Sequence, residues 1–202
     1  MNNTILRLNK NDVPAVIDVL IDSFRNYPVM RYVLNPKTDN YEQKLHTLTY
    51  FFVMARIYRD EIILGIGKRD NLDGAALVSY PNRTVNPPAM DELRRQVWNA
   101  LGKDAQTRYE NFGHACDQFY IPVPHIHLNM IGVRAGEQGK GLGRKLIEQV
   151  HLLSMNDPES EGVTLTTEDP KKVTFYEHLG YKPVGQATVT PALQTWGFFR
   201  PD

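Results

Sequence analysis

RAGEQGKGLGRKLIEQV, residues 134–150, places four glycines within eight positions (Gly136, Gly139, Gly141 and Gly143) and then passes straight into helical spacing. The residues before it, HIHLNMIGV at 125–133, read as a strand. Strand, glycine loop and helix in that order make an anion cradle. Glycine lets backbone N–H groups turn inward without a Cβ clash, and the helix start adds unpaired amides and the positive end of its dipole. Arg134, Lys140, Arg144 and Lys145 bring positive charge to the same place. The spacing argues against two common phosphate loops. A Walker A loop requires G-x-x-x-x-G-K-[ST], but Gly139-Lys140 is followed by Gly141, and the first-glycine position holds Arg134. A G-x-G-x-x-G dinucleotide fingerprint begun at Gly139 would need glycine where Arg144 stands, and the loop comes late in the chain rather than after a first strand. The remaining bland reading is a tight strand-to-helix turn.

A second motif, FYEHLGY at 175–181, follows downstream. Gln138-Gly139-Lys140-Gly141-Leu142-Gly143 matches the Q/R-x-x-G-x-G/A signature of the GNAT superfamily of acyl-CoA-dependent N-acyltransferases, HLNMIGV looks like that family's fourth strand, and FYEHLGY resembles its fYeklGF segment. The order and separation of the two motifs make the resemblance specific, and it covers about 125–184. It implies an α/β (α+β) fold with a mixed, mostly antiparallel twisted sheet flanked by helices and split between its fourth and fifth strands.

The resemblance also implies roles. Backbone amides of Gln138, Gly139, Lys140, Gly141, Leu142, Gly143 and Arg144 would hold the pyrophosphate of acetyl-CoA. Ile131 and Val133 would pair with its pantetheine arm as an added strand does. Tyr176 stands at the tyrosine that serves as general acid toward the departing thiolate; a core stripe with Phe175 and Leu179 is the structural alternative. His127, six residues before Val133, takes the place where some members carry a base, with His125 as its competitor and ordered water as the third option. Phe175 joins the cofactor-binding set. Lys172 replaces the family's usual asparagine and Ala135 its usual proline, so Lys172, Thr166 and Thr167 are the residues expected to supply polar contacts near the gap.

Working outward, TILRLN reads as a strand, and Val13, Val16, Ile17, Leu20, Ile21 and Phe24 as the apolar face of a helix. NYPVMRYVLNP interrupts the pattern, and a long helix with Tyr41, Leu45, Leu48, Phe52 and Ala55 on one side follows. EIILGIG and AALVSYP form a hairpin, and 87–120 reads as a helical pair inserted before the fourth strand. After the glycine loop come a helix, the short strand GVTLTTE, a helix opened by Asp169-Pro170, and a final hairpin turning at Thr190-Pro191-Ala192. With no repeat or long linker, 1–202 is expected to be one domain.

Lys plus Arg and Asp plus Glu number 23 each, so no global field gathers nucleic acid or an anionic membrane. The lone Cys116 excludes an internal disulfide and suits a reducing, cytoplasmic setting; no leader or membrane-length apolar run is evident. His125, His127, His114 and Cys116 lack the spacing of a zinc site, so no metal is expected. Tyr27, Tyr80, Phe119, Tyr120 and Trp196 are candidates for the acceptor pocket or for ordinary packing, and Asp22 and Glu61 read as solvated acids. The expected reaction is acetyl transfer from acetyl-CoA to a primary amine of a small molecule or peptide. A catalytically silent acyl-CoA-binding module and a nucleotide-dependent phosphotransferase are the alternatives, and association into a homodimer is left open.

Overall fold

The computed structural model describes residues 4–83 and 85–202. The chain runs β1 (Ile5–Arg7), α1 (Val13–Phe24), α2 (Pro28–Leu34), α3 (Tyr41–Tyr58), β2 (Ile62–Lys68) and β3 (Asn71–Ser79), and then α4 (Pro88–Leu101) and α5 (Lys103–Cys116). After the inserted pair come β4 (Ile126–Val133), α6 (Leu142–Met155), β5 (Gly162–Thr167), α7 (Val173–Glu177), β6 (Lys182–Thr190) and β7 (Leu193–Pro201). Seven strands form one sheet in the order β1-β2-β3-β4-β5-β7-β6, antiparallel except where β4 meets β5. The expected fold class and strand order hold, with one helix more than expected before the β2–β3 hairpin.

Two refinements concern helices. The stretch read as an interruption contains α2, which begins at Pro28 because proline's fixed φ and missing N–H suit a first helical position. Its seven residues bury Val29, Met30, Val33 and Leu34, too short a run for periodicity to declare itself. The helix opened by Asp169-Pro170 starts as a 3-10 turn, with the Asp169 carboxylate accepting from Lys171 N, and α7 ends at Glu177 rather than running through Leu179.

Apolar cores lie on both faces of the sheet. Helices α1 to α5 pack on one, burying Val16, Leu20, Leu45 and Leu48 against Ile63, Leu77 and Met130. α6 and α7 cover the other, with Leu146, Ile147, Val150 and Tyr176 against Leu64, Val78 and Leu128. Each such aliphatic burial is worth roughly 1.5–3 kcal/mol.

Two irregularities in β4 create the site. Its pairing to β3 jumps from Leu77↔Met130 to Val78↔Leu128, leaving Asn129 as an extra residue. That bulge reverses the alternation, so Ile126 and Leu128 face the α6 core while Met130 faces the α1 core. Second, β4 and β5 pair only over Ile126–Leu128 with Val163–Leu165. Beyond that point β4 continues to Val133 beside β3, and β5 continues to Thr167 beside β7. The sheet therefore divides, exposing the facing main-chain edges of both strands.

Candidate active site at the divided sheet

Two cavities meet where the sheet divides. One, of about 630 Å³, is bounded by the β4 edge, the glycine loop and the start of α6. The other, of about 460 Å³, lies among α2, α3, α4, α5 and the sheet. Phe24, Tyr27, Ile131, Lys172 and Tyr176 line both, so the two adjoin at these residues.

The first cavity is largely a main-chain construction. Gly139 (φ +76) and Gly141 (φ +77) adopt left-handed backbone, and Gly141 is the residue from which α6 starts. A side chain at either would meet no neighbour; it is the backbone conformation that requires glycine. Gln138, Gly139, Gly141, Leu142, Gly143 and Arg144 line this cavity, as do Ile131, Val133 and Phe175. Gln138 Nε2 donates to Val133 O (3.1 Å) and fastens the loop to its strand. Amides at a helix start, left-handed glycines and a free strand edge suit a pyrophosphate followed by an amide-bearing arm, so the residues present fit acetyl-CoA.

The basic residues divide. Arg144 lines the cavity, whereas Lys140 is paired with Glu137 (2.7 Å). Arg134 is turned away as well, bound to Asp18 Oδ2 (2.5 Å) and, through Nε, to Leu72 O (2.7 Å). Its place beside the glycines suggested an anion contact; instead it fastens the loop to α1 and β3. Asp22 is exposed, as expected, and also accepts from Ala135 N (2.9 Å), bracing the same turn.

The second cavity is built from side chains. Tyr176, 7% exposed, packs its ring against Phe175, Tyr181 and Phe198 at centroid distances of 5.4, 5.8 and 5.9 Å. Burial, then the charges of Glu168 and Asp169, hold its hydroxyl well above the ordinary phenol range, so it stays protonated at neutral pH. It is at once the core aromatic and the candidate acid. His127 lines this cavity with Nδ1 2.9 Å from Thr164 Oγ1. Enclosure by protein, followed by the charges of His125 and Arg56, lowers it to about 4, so the ring is neutral but weakly basic. His125 lies before β4 with Nδ1 2.7 Å from Val123 O, and is not among the residues that line either cavity.

The strongest basic candidate is Glu168, which follows directly on β5, beside the expected polar residues Thr166 and Thr167. It is 6% exposed, lines the second cavity and accepts from Thr195 Oγ1 (2.8 Å). Burial pushes its carboxyl up to about 7 against the opposing pull of hydrogen bonds from Thr195 and Tyr27. Its own N–H donates to the Tyr27 hydroxyl (3.0 Å), which shares a further hydrogen bond with Thr167 Oγ1 (3.1 Å). Tyr27 thereby fixes both the main chain and the side chains at the end of β5. The signal available in the sequence was a carboxylate at a strand end flanking the gap, TTEDP. Lys172 touches both cavities, with Nζ 5.7 Å from the Phe175 ring centroid.

Of the other acceptor-pocket candidates, only Tyr27 lines the cavity. Phe119 packs against the backbone of Gly185 and Gly197, Tyr80 stacks under Arg83, and Tyr120 is largely exposed. The aromatic wall comes from Phe51, Phe52, Trp98, Tyr109 and Phe112, four of which contact one another at 5.1–6.2 Å. Glu61 is buried rather than solvated and meets Arg56 Nε at 2.6 Å. Cys116 has its thiol pushed up to about 12 by burial and then by the charge of Glu168, which leaves it no nucleophile.

Residues 95–183, from α4 into β6, match the family model of the acetyltransferase (GNAT) domain. An uncharacterized N-acetyltransferase of Schizosaccharomyces pombe is 25% identical over 191 residues, covering 87% of this chain and 72% of its own. A probable serine/threonine-protein kinase of Dictyostelium discoideum is 23% identical over 199 residues; the match covers 86% of this chain, which spans only 20% of that relative's length. Among solved structures, a histone acetyltransferase and related acetyltransferase from Corynebacterium glutamicum superposes with a TM-score of 0.67 at 19% identity, covering 100% of this chain and 98% of its own. A Drosophila melanogaster polyamine N-acetyltransferase, which forms N-acetylagmatine, gives 0.64 at 13% identity over 98% and 99% of the two chains. These likenesses carry the fold.

Proposed function

We propose that this chain, which matches the acetyltransferase (GNAT) domain model over 95–183 and shares the fold of acetyltransferases, transfers an acetyl group from acetyl-CoA directly to a primary amine. The observation that carries this reading is the meeting of a main-chain cleft and a side-chain cavity at one protonated phenol, Tyr176, with a carboxylate held near neutrality on the cavity side.

The glycine loop and the β4 edge at Ile131 and Val133 bind and extend the donor, with Arg144 and Lys172 at its rim. Acetyl-CoA supplies the thioester. On the other side of the gap the acceptor enters as an ammonium with an ordinary pKa of about 10. Glu168 removes one proton, freeing the nitrogen lone pair to attack the thioester carbon; as the C–S bond breaks, Tyr176 donates its proton to the departing sulfur, and the second proton lost by the nitrogen restores the phenol. Magnitudes favour Glu168 over His127. A carboxyl at about 7 is a stronger base than an imidazole at about 4 by roughly a thousandfold, or about 4 kcal/mol. His127 is then a wall of the cavity and Tyr27 a positioning residue for Glu168.

Release of coenzyme A from acetyl-CoA in the presence of a panel of primary amines tests the reading. Turnover with at least one amine, lowered about a thousandfold in E168Q and about 10–100-fold in Y176F, supports it. Tight acetyl-CoA binding with no amine turned over would instead indicate a module that holds the donor without the chemistry.

A further inference from the structure

The acceptor cavity is not uniform in charge. Arg56 and Arg59 enter its wall from α3 and Arg94 from α4, among the rings of Phe52 and Trp98. The spacing explains the grouping: Phe52 and Arg56 stand at i and i+4 on α3, Arg59 caps its C-terminal end at i+7, and Arg94 and Trp98 stand at i and i+4 on α4. Their counter-charges fall short. Arg56, with a side chain 7% exposed, is met by buried Glu61 at 2.6 Å. Arg59 Nε donates to the neutral amide oxygen of Asn86 (2.9 Å). Arg94 reaches Asp91 (3.0 Å), whose side chain is 74% exposed, so water screens that pair. This end of the cavity retains positive charge beside an aromatic wall.

The acidic residue in the same lining is Glu168, which follows β5. In the β4–β5 register Leu128 faces Leu165, so His127, which feels the charge of Arg56, and Glu168 are four residues apart along the strand direction. At about 3.3 Å per residue that is on the order of 10 Å. Both ends open on one cavity.

We propose that the acyl acceptor is an elongated molecule with an apolar, aromatic body, a primary amine at the Glu168 end and a carboxylate at the Arg59–Arg94 end. This rests on the reading of the cavity as the acceptor site. Such a molecule neutralises the guanidinium groups and places its amine at the gap. A diamine or polyamine of equal length is disfavoured, because its second ammonium falls among the arginines. The selectivity thus differs from that of the polyamine N-acetyltransferase with the same fold.

Three amines of one shape test it: 2-phenylethylamine, its para-carboxylate and its para-aminomethyl analogue. We measure coenzyme A release from acetyl-CoA and, separately, calorimetric Kd with and without coenzyme A. The carboxylate is expected to exceed the neutral amine by about tenfold or more in kcat/KM and in affinity, with the diamine weakest. Combined Arg59→Gln and Arg94→Gln substitution should shrink the carboxylate preference to about twofold; both side chains are partly exposed, and the buried Arg56–Glu61 pair is left intact. Equal or stronger binding of the neutral amine or the diamine, or a carboxylate preference that survives both substitutions, overturns the proposal. Absence of turnover with all three amines while the Kd order holds counts against acyl transfer and supports the charge selectivity, so the two failures are distinguishable.

Discussion

The cleft proposed for the donor and the cavity proposed for the acceptor share five residues and differ in how they are made. The cleft is written in backbone: two left-handed glycines, a helix start and a strand edge, all within residues 131–144. The acceptor cavity is written in side chains brought from α2, α3, α4, α5 and the ends of β4 and β5, over more than a hundred residues of sequence. A site made of local backbone should tolerate side-chain exchange and fail when a dihedral is forced. A site made of side chains should behave in the opposite way.

The largest effect expected from this contrast lies on the acceptor side. E168Q keeps the shape of Glu168 but cannot take a proton, and should lower kcat by about a thousandfold with the KM for acetyl-CoA within about twofold of the parent. Initial rates of coenzyme A release measure both; a loss under tenfold would move the base elsewhere. Next, Y176F should lower kcat about 10–100-fold while its unfolding midpoint in urea hardly moves, because the ring contacts with Tyr181 and Phe198 remain.

On the donor side, G141V places a β-branched residue at φ +77 with no neighbour in its way. The cost is conformational, about 1–2 kcal/mol in unfolding free energy, and the KM for acetyl-CoA should rise about tenfold with the acceptor KM little changed. A rise confined to the acceptor KM would erase the distinction between the two regions.

This division also governs what could be read from the sequence. QGKGLG and FYEHLGY place the cleft, its strand and Tyr176 because each depends on neighbours in the chain. Glu168 is not singled out by its chain neighbours, because its special character comes from burial beneath Tyr27 and Thr195, residues 141 and 27 positions away. Arg134 looked like an anion ligand by proximity, yet Asp18 on α1 holds it away. Glu61 looked solvated until Arg56 and the packing of α3 on the sheet enclosed it. Even β4 deceives, since a period of two cannot anticipate the bulge at Asn129.

The smallest effects concern protons and stability. Folding holds His127 and His151 neutral, each lowered to about 4, so the stability they contribute is complete above about pH 6.5 and is lost as pH falls toward 4. Glu168 has the opposite sign. Folded protein keeps its proton up to about pH 7, so ionising it costs stability as pH rises through 4.5 to 7. E168Q should therefore be more stable than the parent by about 3 kcal/mol at pH 8, with the difference closing below about pH 4.5. Urea unfolding across that range checks the sign; an E168Q variant less stable than the parent at pH 8 would mean that the carboxylate is held for its charge rather than against it.

The pH dependence of kcat/KM for amine acetylation, compared between the parent and E168Q, tests most directly whether Glu168 is the base of an acyl transfer. The account predicts a rise in the parent with an inflection near pH 7, superimposed on the titration of the amine itself, and an E168Q profile in which that inflection is missing and only the amine's remains. An inflection near pH 7 that persists unchanged in E168Q would contradict it.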